Sequence, residues 1–280
     1  MKFLVLQHID IEHPGIFLKF MKEDNIKIDT VELDENEKIP NLDTYDAMIV
    51  MGGPMDTWQE ETYPWLKPEK EAINKFVCIN KKPYLGLCLG AQLLSEAVGG
   101  KVRKMKTPEI GVLKVSVTDD KSLLKGLNKD LKVLQWHSYE AHDLPHNTNL
   151  LASSPECKVQ AFSIDKAFGL QFHVEQTNKT VPEWACVPEY KSALEKTLGE
   201  NALEKFKSNV EKNLSVFNSS AKTIYENFKK IIRSIFYCTT SFRVYTNFIN
   251  NRNRSKTYII ITTYFEISTL IKLLSCCSNE

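Results

Sequence analysis

The sequence lacks the marks of several large classes of protein. None of its seven cysteines forms a Cys-x-x-Cys pair, so neither a zinc ribbon nor a dithiol redox motif is indicated. A formal net charge of +1 gives no reason to expect nucleic acid or an anionic membrane surface as a partner. The N-terminal segment has too few apolar residues for a signal peptide. We therefore expect reduced thiols and a cytoplasmic protein.

Residues 237–280 show a second set of absences. They contain no glycine, proline, alanine or tryptophan and are rich in threonine, serine, isoleucine, asparagine and tyrosine. Within them, Thr257–Leu274 is apolar enough to suggest a membrane helix, although Glu266 and Lys272 interrupt it. The alternative is a tail with no evolved fold, disordered or not native. No membrane partner is expected from the chain as a whole.

In the first hundred residues, apolar runs alternate with amphipathic segments. A short apolar run indicates a buried strand, whereas apolar residues spaced by three or four positions indicate a helix. The alternation predicts an α/β fold in which a mostly parallel sheet carries helices on both faces. The predicted strands are Phe3–Leu6, Lys27–Leu33, Asp46–Met51 and Pro83–Leu87, and the predicted helices start at Pro14, cover Pro64–Asn80 and follow Cys88.

After Gly100 the pattern changes to successive strands and then to a long helix. From Glu200 onward, apolar residues recur every three or four positions without a break, which predicts a strongly amphipathic helix. We expect its apolar stripe to pack on its own domain, and docking of a partner is the alternative. The chain is thus divided into a domain at 1–198, a helical extension at 199–236 and the atypical tail at 237–280. The added strands are Val112–Thr118, Leu131–Trp136, Cys157–Ile164 and Phe168–Phe172.

Cys88 lies between the fourth predicted strand and the helix that follows. Gly86 and Gly90 flank it, and small residues on both sides allow the sharp turn that holds a nucleophile at the end of a strand. The first amides of the helix would face the sulfur and favour its thiolate. A cysteine after an apolar strand is also a common core residue. By itself, the stretch leaves nucleophile and core residue as equal alternatives.

His173 and Glu175 supply what a cysteine nucleophile needs. A nucleophilic cysteine requires a base within hydrogen-bond reach, and the base requires a group that orients it. Along an extended chain, residues two positions apart project to the same side, so the Glu175 carboxylate can accept the ring N–H of His173. The alternative is a histidine at a strand end beside a solvated glutamate. Together with Cys88 in its glycine turn, the pattern favours a catalytic triad.

Three segments resemble motifs of the class I (triad-type) glutamine amidotransferases. The segment 86–92, Gly-Leu-Cys-Leu-Gly-Ala-Gln, is similar to that family's nucleophile motif, and 171–175, Gln-Phe-His-Val-Glu, to its second motif. Gly52-Gly53-Pro54 matches its glycine loop. The Met-Gly-Gly-Pro-Met loop and Val174, in place of the usual proline, resemble the stand-alone GMP-synthase-like subfamily. The resemblance implies a flavodoxin-like sheet with added strands and a C-terminal helical extension, and it runs from Phe3 to about Trp184.

The resemblance also implies the chemistry. Cys88 would attack the side-chain amide of glutamine and form a γ-glutamyl thioester, with His173 as base and Glu175 as its orienting group. The backbone N–H groups of Gly53 and Leu89 would form the oxyanion hole. Neither a metal ion nor a cofactor is expected.

The same resemblance suggests a set of substrate-binding residues. Gln92 would contact the amino-acid end of the substrate, and residues 136–139 occupy the place where the family offers backbone groups to the α-amino and α-carboxylate groups. His137 is expected to be structural rather than a second base. The predicted substrate-binding residues are Gln92, His137, Ser138 and Tyr139, and the remaining histidines, expected in loops or at the surface, are His8, His13, His142 and His146.

Several functions stay open at the level of sequence. A complete GMP synthetase carries an ATP-pyrophosphatase domain with a Ser-Gly-Gly-Val-Asp-Ser loop, and this sequence contains no such loop. The chain would then deliver ammonia to a separate synthase subunit, or act alone as a γ-glutamyl peptidase, as the similar plant enzymes do. A protease-like cysteine hydrolase and a catalytically silent regulatory subunit stay open as well.

Overall fold

The computed structural model describes residues 1–118, 121–199 and 201–251, with the backbone alone for 235–251. Residues 252–280, most of the predicted atypical tail, lie outside the described residues, so the predictions made for them stay predictions. Residues 1–234 form one compact unit. Within the described ranges, no helix has both the length and the apolar character needed to cross a membrane.

Strands and helices alternate in the first half of this unit, and strands dominate the second half until three helices end it. The strands are β1 (Lys2–Gln7), β2 (Lys27–Glu32), β3 (Ala47–Val50), β4 (Tyr84–Leu87), β5 (Lys101–Val117), β6 (Asp130–His142), β7 (Asn149–Ser153), β8 (Ala161–Ile164) and β9 (Ala167–Leu170). The helices are α1 (Ile16–Glu23), α2 (Leu66–Asn74), α3 (Leu89–Ala97), α4 (Thr180–Trp184), α5 (Pro188–Leu198) and α6 (Ala202–Asn251).

All of these strands belong to one sheet with the order β2-β1-β3-β4-β9-β8-β7-β5-β6. The strands from β2 to β9 in that order are parallel, whereas β9-β8-β7-β5-β6 pair antiparallel. The predicted α/β sheet with added strands and a C-terminal helix is therefore confirmed. The added strands extend the same sheet, because β9 pairs with β4 on one side and with β8 on the other.

The two faces of the sheet are covered by different helices. Along β1 the side chains alternate, so that Phe3 and Val5 pack with α1 and α6 while Leu4 and Leu6 pack with α2 and α3. On the first face, the rings of Phe3 and Phe228 lie 6.3 Å apart between centroids. This packing holds the carboxyl ends of β3, β4 and β9 side by side, where a ligand site is expected in such a sheet.

The apolar stripe of α6 packs on the same unit. Its first turns contribute Phe206 and Val210 to a cluster with Trp136 and Trp184, and later turns place Ile224 against the sheet. The prediction that this stripe covers its own domain agrees with these contacts.

The strand predictions after Gly100 were incomplete: β6 continues to His142 rather than ending at Trp136, and β8 begins at Ala161 rather than at Cys157. Strand β5 begins at Lys101, whereas the predicted strand began at Val112. The first half of β5 was missed because it is largely exposed and shows no apolar alternation. Strand β7 was not predicted, since only its last residues are buried and its first two are exposed.

Candidate active site

Cys88 occupies the connection between β4 and α3 in a strained backbone conformation. Its φ is 49° and its ψ is −104°, a region that non-glycine residues rarely adopt. A Cβ atom on Gly86 would overlap the carbonyl of Gly90, and one on Gly90 would overlap the carbonyl of Val50. The two glycines are therefore required by the close approach of the chain. The turn leaves the Cys88 side chain 8% exposed at the N-terminus of α3.

His173 and Glu175 lie behind the sulfur and are almost fully buried. His173 Nδ1 is 2.6 Å from Glu175 Oε1, and the other carboxylate oxygen accepts the Val174 N–H at 2.9 Å. The Cys88 sulfur lies close enough to the imidazole to help raise its pKa. With Nδ1 held by the carboxylate, the other ring nitrogen serves the sulfur. The structure thus brings the three predicted residues together in the order of a catalytic triad.

The position of His173 differs from the predicted strand end. Strand β9 stops at Leu170, and His173 lies three residues beyond it in an isolated bridge to Leu134 of β6. The His173 N–H donates to the Leu134 carbonyl at 2.9 Å, and the Leu134 N–H donates back at 3.0 Å. The segment leaves the parallel strands to pair with β6, and this pairing fixes the histidine backbone.

His173 and Glu175 each stabilise the charged form of the other. Burial lowers the pKa of His173, but the neighbouring Glu175 carboxylate and Cys88 sulfur raise it by more, so that the net pKa is well above its ordinary value. Burial raises the pKa of Glu175, yet the charge and hydrogen bond of His173 outweigh this, and the net pKa lies below its usual range. The site therefore favours an imidazolium beside the sulfur, the arrangement that stabilises a thiolate.

Gly53 and Leu89 face each other beside Cys88. A Cβ atom on Gly53 would lie 3.0 Å from the Leu89 Cδ2 atom, so the glycine loop after β3 touches the first residue of α3. Within the described residues, neither backbone N–H donates to another protein group. Free amides at a helix start and in a glycine loop are suited to bind negative charge.

A pocket of about 140 Å³ opens onto the sulfur. Its wall contains Gly53, Cys88, Leu89 and Gln92, together with His137, Ser138 and Tyr139 of β6. All the predicted substrate-binding residues therefore line one pocket together with Cys88.

Hydrogen bonds hold Gln92 and His137 in place. The Gln92 side-chain N–H groups donate to the Tyr139 carbonyl at 3.3 Å and to Gln171 Oε1 at 3.2 Å. His137 Nδ1 donates to the same Tyr139 carbonyl at 2.9 Å. Gln171 in turn donates to the Cys88 sulfur at 3.5 Å. The network links the pocket wall to the Cys88 sulfur.

Comparison with known proteins decides the family. A family model for class-I glutamine amidotransferases matches residues 17–183, more than half of the chain. The chain belongs to the class-I glutamine amidotransferases. The family predicted from the three motifs is confirmed.

Individual relatives in this family agree with the assignment. A glutamine-hydrolyzing GMP synthase subunit of Sulfolobus acidocaldarius is 32% identical over 150 residues, which are 53% of this chain and 77% of the relative. Gamma-glutamyl peptidase 3 of Arabidopsis thaliana is 32% identical over 158 residues, 54% of this chain and 61% of the relative. A crystal structure of a glutamine amidotransferase from Thermotoga maritima covers 83% of this chain and 98% of its own, with 29% identity and a TM-score of 0.75.

Helix α5 of this amidotransferase was not predicted from the sequence, and it forms one wall of the pocket. Glu189, Tyr190 and Ala193 line the pocket from this helix. The segment shows only a weak apolar pattern, with Leu194 as its one fully buried residue. Pro188 at the first turn is the sequence signal that could have located its start.

His8 lies in the connection after β1, in agreement with the loop alternative, but it is fully buried rather than at the surface. Its Nδ1 lies 2.8 Å from the Gly52 carbonyl oxygen, and its Nε2 lies 3.0 Å from Glu69 Oε1. Glu69 is far from His8 in the sequence, so no short-range sequence pattern predicts that the two residues pair.

Glu12 is a further buried group near the triad. Tyr190 donates its hydroxyl to Glu12 Oε1 at 2.6 Å, while Oε2 has no hydrogen-bond partner among the described residues and lies against Gly52. Burial raises the pKa of Glu12 from 4.5 to about 7, although the neighbouring His173 acts in the opposite direction. The folded protein therefore binds a proton at Glu12 that the unfolded chain releases at lower pH.

This linkage predicts how Glu12→Gln changes stability. Because the folded-state pKa is raised, the wild type loses stability as the pH rises from 4.5 to about 7. Glutamine does not titrate, so the variant does not show this loss. From about pH 5 to about pH 8, the free energy of unfolding of the variant should rise by up to roughly 3 kcal/mol relative to that of the wild type. Denaturant unfolding at both pH values measures the difference. Equal pH dependence of the two proteins would contradict the prediction.

Proposed function

We propose that the protein hydrolyses the side-chain amide of glutamine through a γ-glutamyl thioester on Cys88. The observation that carries the proposal is the strained Cys88, which lies beside the buried His173–Glu175 pair and opens to a pocket with two free amides. Each of these features serves acyl transfer, and together they form a site of that class.

In the first half of the reaction, the Cys88 thiolate attacks the amide carbon and forms a carbon–sulfur bond. The carbonyl electrons move to the oxygen, and the Gly53 and Leu89 N–H groups stabilise the resulting oxyanion. His173 gives its proton to the amide nitrogen as the carbon–nitrogen bond breaks. Ammonia leaves, and the γ-glutamyl group remains on the sulfur.

In the second half, neutral His173 takes a proton from water, and the hydroxide attacks the thioester carbon. The same two amides hold the second oxyanion. Its collapse breaks the carbon–sulfur bond, returns the electron pair to Cys88 and releases glutamate, whose new carboxyl group gives its proton to solvent. Glu175 keeps the imidazole in the required orientation throughout.

Recognition of the amino-acid end uses the pocket walls. Asp56 and Glu189 line the pocket and offer carboxylates for the α-ammonium group of the substrate. Ser138 and Tyr139 also line the pocket, and there β6 offers backbone groups to the α-carboxylate.

The γ-glutamyl thioester serves either of two candidate functions. Similarity to the GMP synthase subunit of Sulfolobus acidocaldarius supports delivery to a separate synthase subunit. Similarity to gamma-glutamyl peptidase 3 of Arabidopsis thaliana supports a second candidate, the hydrolysis of γ-glutamyl peptides. Both functions share the γ-glutamyl thioester and differ in the leaving group.

Comparison of substrates separates the two candidates. The purified protein is offered glutamine, γ-glutamyl dipeptides and glutathione, and kcat/KM is measured for each, with Cys88→Ala as the background. We expect glutamine to give the highest kcat/KM. A higher kcat/KM for γ-glutamyl peptides would show that the protein is a peptidase rather than an ammonia donor. If none of these substrates reacts in a Cys88-dependent way, the proposed chemistry is overturned.

A further inference from the structure

A buried ion pair lies directly under the glycine loop. The His8 and Glu69 side chains are both inaccessible to solvent, and His8 Nε2 lies 3.0 Å and 3.1 Å from the two carboxylate oxygens. His8 follows strand β1, and Glu69 belongs to helix α2. On its other side, His8 Nδ1 contacts the carbonyl oxygen of Gly52 at 2.8 Å. The pair therefore connects a helix to the loop that carries Gly53.

The partners determine where the protons of His8 are. A carbonyl oxygen only accepts hydrogen bonds, so Nδ1 carries a hydrogen and donates it to Gly52. Nε2 faces a carboxylate, which also accepts when ionised. Burial lowers the pKa of His8, but Glu69 and the Gly52 carbonyl raise it more, so the net pKa lies above its ordinary value. The raised pKa favours an imidazolium, in which both ring nitrogens donate.

The planarity of the peptide bond transmits this contact to Gly53. In a trans peptide, the C=O of Gly52 and the N–H of Gly53 point in opposite directions from one rigid plane. A donor that fixes the carbonyl on one side therefore fixes the N–H on the other side, where the pocket lies. Consecutive glycines have little conformational preference of their own, so the plane needs an external anchor.

We propose that the His8–Glu69 pair positions the oxyanion hole by holding the Gly52–Gly53 peptide with the Gly53 N–H towards the substrate carbonyl oxygen. The inference rests on the proposed function, since it assigns a task to the Gly53 amide. His8 touches no reacting atom and is a positioning residue.

Two matched double variants test the contact. In His8→Asn/Glu69→Gln, the asparagine Nδ2 takes the place of the histidine Nδ1 and still donates to Gly52. In His8→Gln/Glu69→Gln, the glutamine Nε2 takes the place of the histidine Nε2, and Gly52 loses its donor. Both variants remove the same charges and retain polar side chains of similar size, so they differ mainly at the Gly52 carbonyl.

The readouts are kcat with glutamine and the rate of Cys88 alkylation by iodoacetamide. Alkylation displaces iodide at a saturated carbon and forms no oxyanion. Its rate therefore depends on the fold and on the Cys88–His173 pair, but not on the oxyanion hole. We expect His8→Gln/Glu69→Gln to lose roughly 10- to 100-fold in kcat, a part of the loss typical of a missing oxyanion donor. We expect His8→Asn/Glu69→Gln to stay close to the wild type, and both variants to be alkylated at the wild-type rate.

Other outcomes overturn the inference. Equal kcat in the two variants, whether high or low, would show that the donor to Gly52 does not position the amide. A parallel fall of alkylation and kcat would show a general structural role. If the wild type is alkylated at Cys88 but releases no product from any γ-glutamyl substrate, the proposed function itself fails, and this result is distinct from the other two.

Discussion

Cys88→Ala is expected to lower ammonia release from glutamine by roughly 10⁴-fold or more, because it removes the sulfur that forms the thioester. The remaining amides can still bind substrate, so a small residual rate is compatible with the mechanism. Alanine fits the turn sterically as well as cysteine does, since its Cβ occupies the same place. The measurement is steady-state ammonia production by the purified variant.

The matched control is Cys186→Ala. Cys186 is an exposed free cysteine away from the pocket, and its loss should leave kcat within about twofold of the wild type. Undiminished ammonia release by Cys88→Ala would mean that another residue is the nucleophile. If the wild type is as inactive as Cys88→Ala on every γ-glutamyl compound, the result would favour the interpretation that the protein is a catalytically silent regulatory subunit.

His173→Gln is the second large effect, and it should lower kcat by roughly 10³- to 10⁴-fold. The loss combines two tasks: the imidazolium stabilises the thiolate before attack, and the same ring protonates the departing nitrogen. Glutamine retains a hydrogen-bonding group of similar length but transfers no proton. Steady-state kinetics with glutamine over a range of pH values measures the change.

Alkylation separates these two tasks. Because the pKa of His173 is raised well above its ordinary value, the wild-type imidazolium persists through neutral pH. Cys88 should then react with iodoacetamide faster than the exposed Cys186, although it is only 8% exposed. In His173→Gln, this advantage should vanish near neutral pH and return only in alkaline solution. An unchanged pH profile would show that His173 does not stabilise the thiolate.

Local patterns in the sequence were sufficient for the central part of the site. The glycines around Cys88 and the spacing of His173 and Glu175 are short-range features, although pairing with Leu134 of β6 fixes the backbone of His173. The inner parallel strands β3 and β4 were equally visible, because both of their faces are buried and they are continuously apolar. These parts of the fold require no knowledge of distant contacts.

The missing parts depend on distant partners. His8 and Glu69 are 61 positions apart, and Glu12 meets Tyr190 across 178 positions. Their polar side chains are typical of loops and surfaces, and only the tertiary structure buries them. Helix α5 was missed for a related reason, since it lies over the pocket and presents most of its residues to solvent.

The most direct test is to identify the covalent intermediate. The wild type is mixed with excess glutamine and quenched in acid within the first turnovers, and its peptides are analysed by mass spectrometry. The structure predicts a γ-glutamyl group on the peptide that contains Cys88, which is released by hydroxylamine and absent from Cys88→Ala. A γ-glutamyl group on any other residue, with Cys88 unmodified while ammonia is being released, would contradict the mechanism.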